Sequence, residues 1–150
     1  MAKPKLSVII PVYNAGEHLE KSLVSVFKQT FNQGVQIICI DDGSTDNSFE
    51  ILKKYKDKMV LLQTSNKGAS SARNRGIELA EGVFTIFLDA DDSIPKKYLE
   101  VLYTEAKSNK ADITVTGFNY RRGSTCITFK SPIPIGNYTN ILDKLKSLHN

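Results

Sequence analysis

Apolar positions along the chain fall into short, nearly unbroken runs, separated by stretches in which they recur every three or four residues. Leu6 to Val12 is apolar and β-branched and reads as a buried strand. From Glu17 to Gln29 the apolar residues are Leu19, Leu23, Val26 and Phe27, the spacing of one helix face. Val35 to Ile40 is a second buried strand. Ser44, Thr45 and Asp46 then offer N-caps for a helix running to about Tyr55. Met59 to Gln63 is a third strand, followed by a polar loop and a helix from about Ser70 to Ala80, with Gly82 suited to its C-terminal cap. Val83 to Leu88 is rich in Val, Ile and Phe and is expected as a central strand buried on both faces. A fourth helix spans about Lys96 to Ser108, and Asp112 to Tyr120 is a fifth strand. Arg121 to Ser124 reads as a turn, Thr125 to Lys130 as an antiparallel return, Ser131 to Tyr138 as a loop and Ile141 to Leu148 as a short amphipathic helix.

Strand and helix alternate four times before residue 110. That order predicts an α/β fold, a Rossmann-like, mostly parallel sheet with helices on both faces. A length of 150 residues suits one domain with a real core, so residues 1–150 are taken as a single domain.

Composition changes this picture little but narrows the function. Hydrophobic residues make up 41% and charged residues 24%, as in an ordinary globular chain. The net charge of +4 comes from dispersed lysines, and the acidic strand ends would repel phosphates unless a metal intervened, so nucleic acid is not an expected partner. No apolar run approaches the ~20 residues that cross a bilayer. The N-terminal lysines and apolar run lack a small-residue cleavage site, so no signal peptide is expected. Cys39 and Cys126 make no disulfide framework, which fits a cytoplasmic chain.

The chemistry sits where apolar runs stop. Phe84 to Leu88 ends abruptly in Asp89, Asp91 and Asp92. Carboxylates crowded at a strand end are costly without a partner, and a divalent cation, Mg²⁺ or Mn²⁺, takes oxygen ligands and a phosphate. The alternative is a helix start, with Asp92 or Ser93 as N-cap and Pro95 in the first turn. Asp42 lies where strand gives way to Gly43; its carboxylate can accept a pyrimidine ring N–H or serve local capping, and Asp46 is read as a cap. Tyr13 can lie flat on a base, or be a half-buried loop tyrosine. Arg73, at the start of a helix, suits a diphosphate or a base edge, whereas Arg75 is read as a solvated residue. Asn66 and Gly68 let the backbone approach a ligand, though turn chemistry alone also explains them. His18 and His149 are isolated and read as surface residues. In a parallel sheet all these strand ends open on one edge, which favours one composite metal–nucleotide site. No Gly-x-Gly-x-x-Gly or phosphate-loop lysine motif occurs, so dinucleotide and ATPase readings lack support. An aspartate-nucleophile phosphatase wants its nucleophile after the first strand, which here ends in Pro-Val-Tyr-Asn.

Four segments, Pro11-Val12-Tyr13-Asn14, Asp41 to Asp46, Asn66 to Asn74 and Leu88 to Asp92, resemble in order and spacing the family 2 glycosyltransferases of the GT-A fold. The resemblance covers roughly residues 5 to 120. It implies a nucleotide-sugar donor, usually UDP-linked, and a Mn²⁺ or Mg²⁺ ion. It places Pro11, Val12 and Tyr13 at the base, Asp42 at the uracil N–H, and Asn66 and Arg73 near the nucleotide. Asp89 falls at the ribose and metal, and Asp91 as principal metal ligand. The implied reaction is inverting transfer to a glycan or lipid-linked acceptor, as in surface polysaccharide synthesis. Peripheral association with the inner face of a membrane and assembly with a second copy are compatible with it. Such enzymes use an Asp or Glu base well beyond the central acidic motif. Glu100, Glu105, Asp112 and Asp143 lack that context, so the chain reads as the donor-binding portion, ending before an acceptor half.

Overall fold

The computed structural model describes residues 3–122 and 124–130. It falls into two compact units, Met1–Tyr103 and Thr104–Asn150. The loop and helix expected beyond Lys130 lie outside the described residues.

The first unit is built on a parallel sheet. Strands β1 (Leu6–Val12), β2 (Val35–Asp41), β3 (Val60–Gln63) and β4 (Phe84–Phe87) lie in the order β3-β2-β1-β4. Helices α1 (Gly16–Phe27), α2 (Ser48–Lys54), α3 (Ala69–Leu79) and α4 (Tyr98–Ser108) follow the strands in turn. Register brings Val12 opposite Asp41 and Asp41 opposite Gln63, so three strands end together.

Side-chain alternation along β1 and β2 sorts the core into two layers. Leu6, Val8, Ile10 and Val12 join Ile37 and Cys39 against Leu19, Leu23 and Val26 of α1, Ile51 and Leu52 of α2, and Leu99 and Tyr103 of α4. Ile9, Ile38 and Ile40 face the other way, against Ala72 of α3. Helices therefore cover both faces, as expected. α3 packs close against the sheet: a Cβ on Gly76 would stand 2.3 Å from Ile9 Cγ2. Full burial of a side chain such as Leu23 or Ile10 stabilises the fold by about 1.5–3 kcal/mol.

Several local expectations are corrected. β4 is an edge strand among the described residues, not a central one. It pairs only with β1, Thr85 is exposed, and Phe87 is 47% exposed. An apolar run records neither how fully a strand is covered nor where in the sheet it lies. Gly82 does not cap α3, whose C-cap is Ala80. Gly82 instead passes so close to β1 that a Cβ would meet Ser7 N at 2.5 Å, and its N–H donates to Ser7 Oγ at 2.9 Å. α2 begins at Ser48 rather than after Ser44, because residues 44–46 are drawn toward the β1–α1 loop. α4 begins at Tyr98, beyond Asp92 and Ser93; its Leu99 N–H is met by Gln29 Oε1, just past α1, at 3.0 Å.

In the second unit, β5 (Phe118–Arg122) and β6 (Thr125–Phe129) form an antiparallel hairpin. β6 falls as expected. β5 is shorter than the Asp112–Tyr120 run and does not join the parallel sheet among the described residues, since its ladder bonds go to β6. Phe118 stacks on Phe129 with ring centroids 4.8 Å apart.

Candidate functional site

The C-terminal ends of the parallel strands open on one cleft of about 420 Å³. Pro11, Val12 and Tyr13 line it from β1 and the loop beyond, and Asp42 from the end of β2. Arg73 enters with Ala69 and Ala72 from the first turns of α3, and Asp89 and Asp91 enter beyond β4. Seven of the eight residues singled out from sequence thus share one cavity; Asn66 does not line it.

Asp42 is 2% exposed, and its carboxylate is held by the loop that follows β3. Oδ1 accepts from Thr64 Oγ1 at 3.1 Å and from Lys67 N at 3.0 Å. Oδ2 accepts from Gly68 N at 2.7 Å and again from Lys67 N at 3.1 Å. Charge-assisted bonds of this kind offset the burial of the carboxylate. They also fix the backbone just before α3, where Gly68 turns at φ +89° and delivers Arg73 to the cleft. Asp41, by contrast, belongs to β2 itself and is fully buried; its Oδ2 accepts from Gln63 Nε2 at 3.0 Å.

The acidic segment beyond β4 folds back on itself, with Asp92 N–H donating to Asp89 O at 3.0 Å. Asp89 Oδ1 receives Arg73 Nη2 at 2.6 Å. Partial burial, and then the charges of Asp91 and Asp89, push the Asp92 carboxyl above its ordinary value. Among the described residues no three His, Cys, Asp or Glu side chains are arranged to hold a metal ion by themselves. Two carboxylates that line a cleft, one already attracting a cation, suit the other common arrangement, in which one or two carboxylates and substrate phosphates share a hard divalent ion.

Two residues depart from their sequence reading. His18, read as an isolated surface residue, is exposed but lines the cleft from the first turn of α1. Nothing in its neighbourhood signalled this, because only the fold turns that helix face toward the strand ends. Asp46 does more than start α2. Its Oδ1 accepts from Ser48 N at 2.9 Å and its Oδ2 from Gly16 N at 3.0 Å, so one carboxylate meets the first N–H of both α1 and α2. Arg75 pairs with Glu78 on the exposed face of α3, as its reading had it.

A mostly parallel sheet with its cleft beyond the carboxyl ends of the strands defines a ligand-binding α/β domain of the doubly wound kind. The particular lineage is equally clear: the family model for glycosyl transferase family 2 matches residues 7–148, and the chain belongs to that family. An uncharacterized glycosyltransferase of Escherichia coli, YibD, is 47% identical over 112 residues, covering 73% of this chain and 32% of its own. The cholesterol galactosyltransferase of Borreliella burgdorferi is 37% identical over 139 residues, covering 91% of this chain and 38% of its own. The crystal structure of S. aureus TarS 1-349 in complex with UDP-GlcNAc matches with a TM-score of 0.64 at 33% identity, covering 71% of this chain and 32% of that one. The fold is accordingly GT-A. The chain spans about a third of the length of these curated relatives. No helix among the described residues is long and apolar enough to cross a membrane.

Proposed function

We propose that this chain carries the donor site of a metal-dependent glycosyltransferase that moves a sugar from a nucleotide-sugar, UDP-linked, to a hydroxyl of a glycan or lipid-linked acceptor. The observation that carries the reading is the single cleft in which Tyr13 and Asp42 stand with Arg73 and the Asp89–Asp91 pair. It brings together an aromatic face for a base, a carboxylate for a ring N–H, a guanidinium for phosphate and two oxygen donors for a cation. The binding of UDP-GlcNAc by TarS and the naming of the Borreliella relative for a galactosyl transfer to a lipid support it.

In this reading Pro11, Val12 and Tyr13 hold the base. Four contacts from three donors already fill the roughly four acceptor sites of the Asp42 carboxylate, and the uracil N–H takes the place of one of the two that Lys67 N–H shares between the oxygens. Arg73 turns its planar fork toward the diphosphate or ribose. Asp89 and Asp91 hold Mn²⁺ or Mg²⁺, which when bound neutralises the departing diphosphate. The acceptor hydroxyl oxygen bonds to C1 as the C1–O bond to the diphosphate breaks on the opposite face, which inverts C1, and the hydroxyl proton passes to a base. We assign no general base: Glu100 accepts from Thr30 Oγ1 at 3.1 Å and Glu105 from Asn109 Nδ2 at 3.2 Å. Without an assigned base a second reading stands beside the first, donor binding without turnover by these residues alone. We place the reaction on the cytoplasmic side, where nucleotide-sugars and free thiols both belong.

Calorimetric titration of UDP with and without Mn²⁺ tests the donor site. Binding that depends on the metal is the expected result. No binding in either condition would overturn it, and transfer or its absence on adding an acceptor separates the two readings.

A further inference from the structure

The loops after β1 and β2 are joined by a set of hydrogen bonds centred on Asn14. This residue follows Tyr13 and sits at φ +49°, a left-handed conformation that asparagine tolerates better than most residues. Its side-chain oxygen Oδ1 faces the neighbouring loop. There it accepts from Thr45 N at 2.8 Å, Thr45 Oγ1 at 3.3 Å and Asp46 N at 3.3 Å. Its own N–H donates to Ser44 Oγ at 3.1 Å. The next two N–H groups continue across, Ala15 to Ser48 Oγ at 2.9 Å and Gly16 to Asp46 Oδ2 at 3.0 Å. On the other side of Tyr13, Asp42 N–H donates to Val12 O at 2.8 Å. The segment bearing Tyr13 is therefore tied to the segment bearing Asp42 both before and after the tyrosine.

We propose that Asn14 is a positioning residue for the nucleotide base: its side-chain oxygen latches the β1–α1 loop to residues 44–46 and so holds Tyr13 at a fixed distance from Asp42. The inference rests on the nucleotide-sugar reading of the cleft and deepens it. Tyr13 is 50% exposed and has little packing to hold it, so the backbone on either side sets where its ring lies. An aromatic face held in place binds a base without the entropic loss of ordering a loop first. The latch bonds are individually modest and exposed, so their effect falls on the order of two loops rather than on global stability.

Three variants test this. Asn14→Gly keeps the left-handed backbone and removes only the side-chain bonds. Asn14→Asp keeps an acceptor oxygen at the same place. Ser44→Ala/Asp46→Ala removes latch partners that do not line the cleft and leaves Asn14 untouched. The first readout is amide hydrogen exchange without nucleotide. Asn14→Gly should speed exchange at Thr45 and Asp46 by at least about tenfold, with β1 and β2 unchanged. Unchanged exchange there overturns the latch, whatever the cleft binds. The second readout is calorimetric titration of UDP with Mn²⁺. Asn14→Gly should raise Kd by about tenfold, a uniform binding loss; Asn14→Asp should recover most of it; and the Ser44/Asp46 double variant should raise Kd as well. Faster exchange with an unchanged Kd overturns the positioning role, and a weaker Kd in Asn14→Gly without faster exchange would mean that Asn14, which itself lines the cleft, touches the ligand directly instead. Failure of the wild-type chain to bind UDP would sink the donor reading and the positioning role together, while exchange alone still decides whether the latch exists.

Discussion

Arg73 Nη2 lies 2.6 Å from Asp89 Oδ1, joining the start of α3 to the acidic segment beyond β4. The two side chains are 33% and 54% exposed, so the pair contributes at most about 1 kcal/mol to stability. Its value lies in geometry, since it places a guanidinium beside the carboxylates proposed to hold the metal. Arg73→Lys should keep the charge, lose the planar fork and weaken UDP binding by about tenfold while the melting temperature barely moves. A large drop in Tm with unchanged affinity would make the pair structural.

Asp91 lines the same cleft, while the Arg73 guanidinium is engaged by Asp89. Asp91→Asn should abolish metal-dependent UDP binding and leave the circular dichroism spectrum unchanged. Unchanged affinity in the titration would move the metal site elsewhere.

Asp42 has two roles that one substitution can separate. Asp42→Ala leaves the N–H groups of Lys67 and Gly68 without their acceptor, which costs about 1–3 kcal/mol of stability by denaturant unfolding. If the carboxylate also reads the base, UDP should lose more affinity than ADP, whose purine has no ring N–H to donate. Equal losses for both nucleotides would assign the whole effect to the loop.

Asp46 should make the latch acid-sensitive. The Ser48 hydroxyl chiefly holds its carboxyl below the ordinary 3.8; desolvation opposes it, and the Ser48 and Gly16 N–H groups add to the lowering. A folded-state value below the unfolded one contributes stability that is fully present above 3.8 and is lost as pH falls through the folded value. The stability difference between wild type and Asp46→Ala should therefore be constant near neutrality and shrink in acid below that value. A difference that grew in acid would contradict the assignment.

Cys39 is fully buried in β2, and burial pushes its thiol up to about 12. Cys126 is exposed. A thiol reagent at neutral pH should modify Cys126 in the native chain and Cys39 only after denaturation. Rapid modification of both would mean that β2 opens readily.

The amino-acid sequence by itself determined the alternation of strands and helices, because burial imposes a period on each element that local spacing records. The limits of β1, the presence of β2, β3 and α3, and the return strand β6 were all legible on that ground. So were the cleft residues Tyr13, Asp42, Arg73, Asp89 and Asp91, polar groups set in the loops and at the helix start that follow the apolar runs. Tertiary structure decided what those groups touch. The place of β4 at the sheet edge depends on which strand pairs with it, and Phe84 to Phe87 carry no mark of that choice. Gly82 reads as a helix cap until β1 is seen passing within a Cβ's reach. The acceptor of the Lys67 and Gly68 amides is Asp42, 25 and 26 positions earlier, and the donors to Asn14 lie 31 and 32 positions later. Hydrogen bonds of that separation form only after the sheet has brought the strand ends together, and one chain's local pattern holds no record of them.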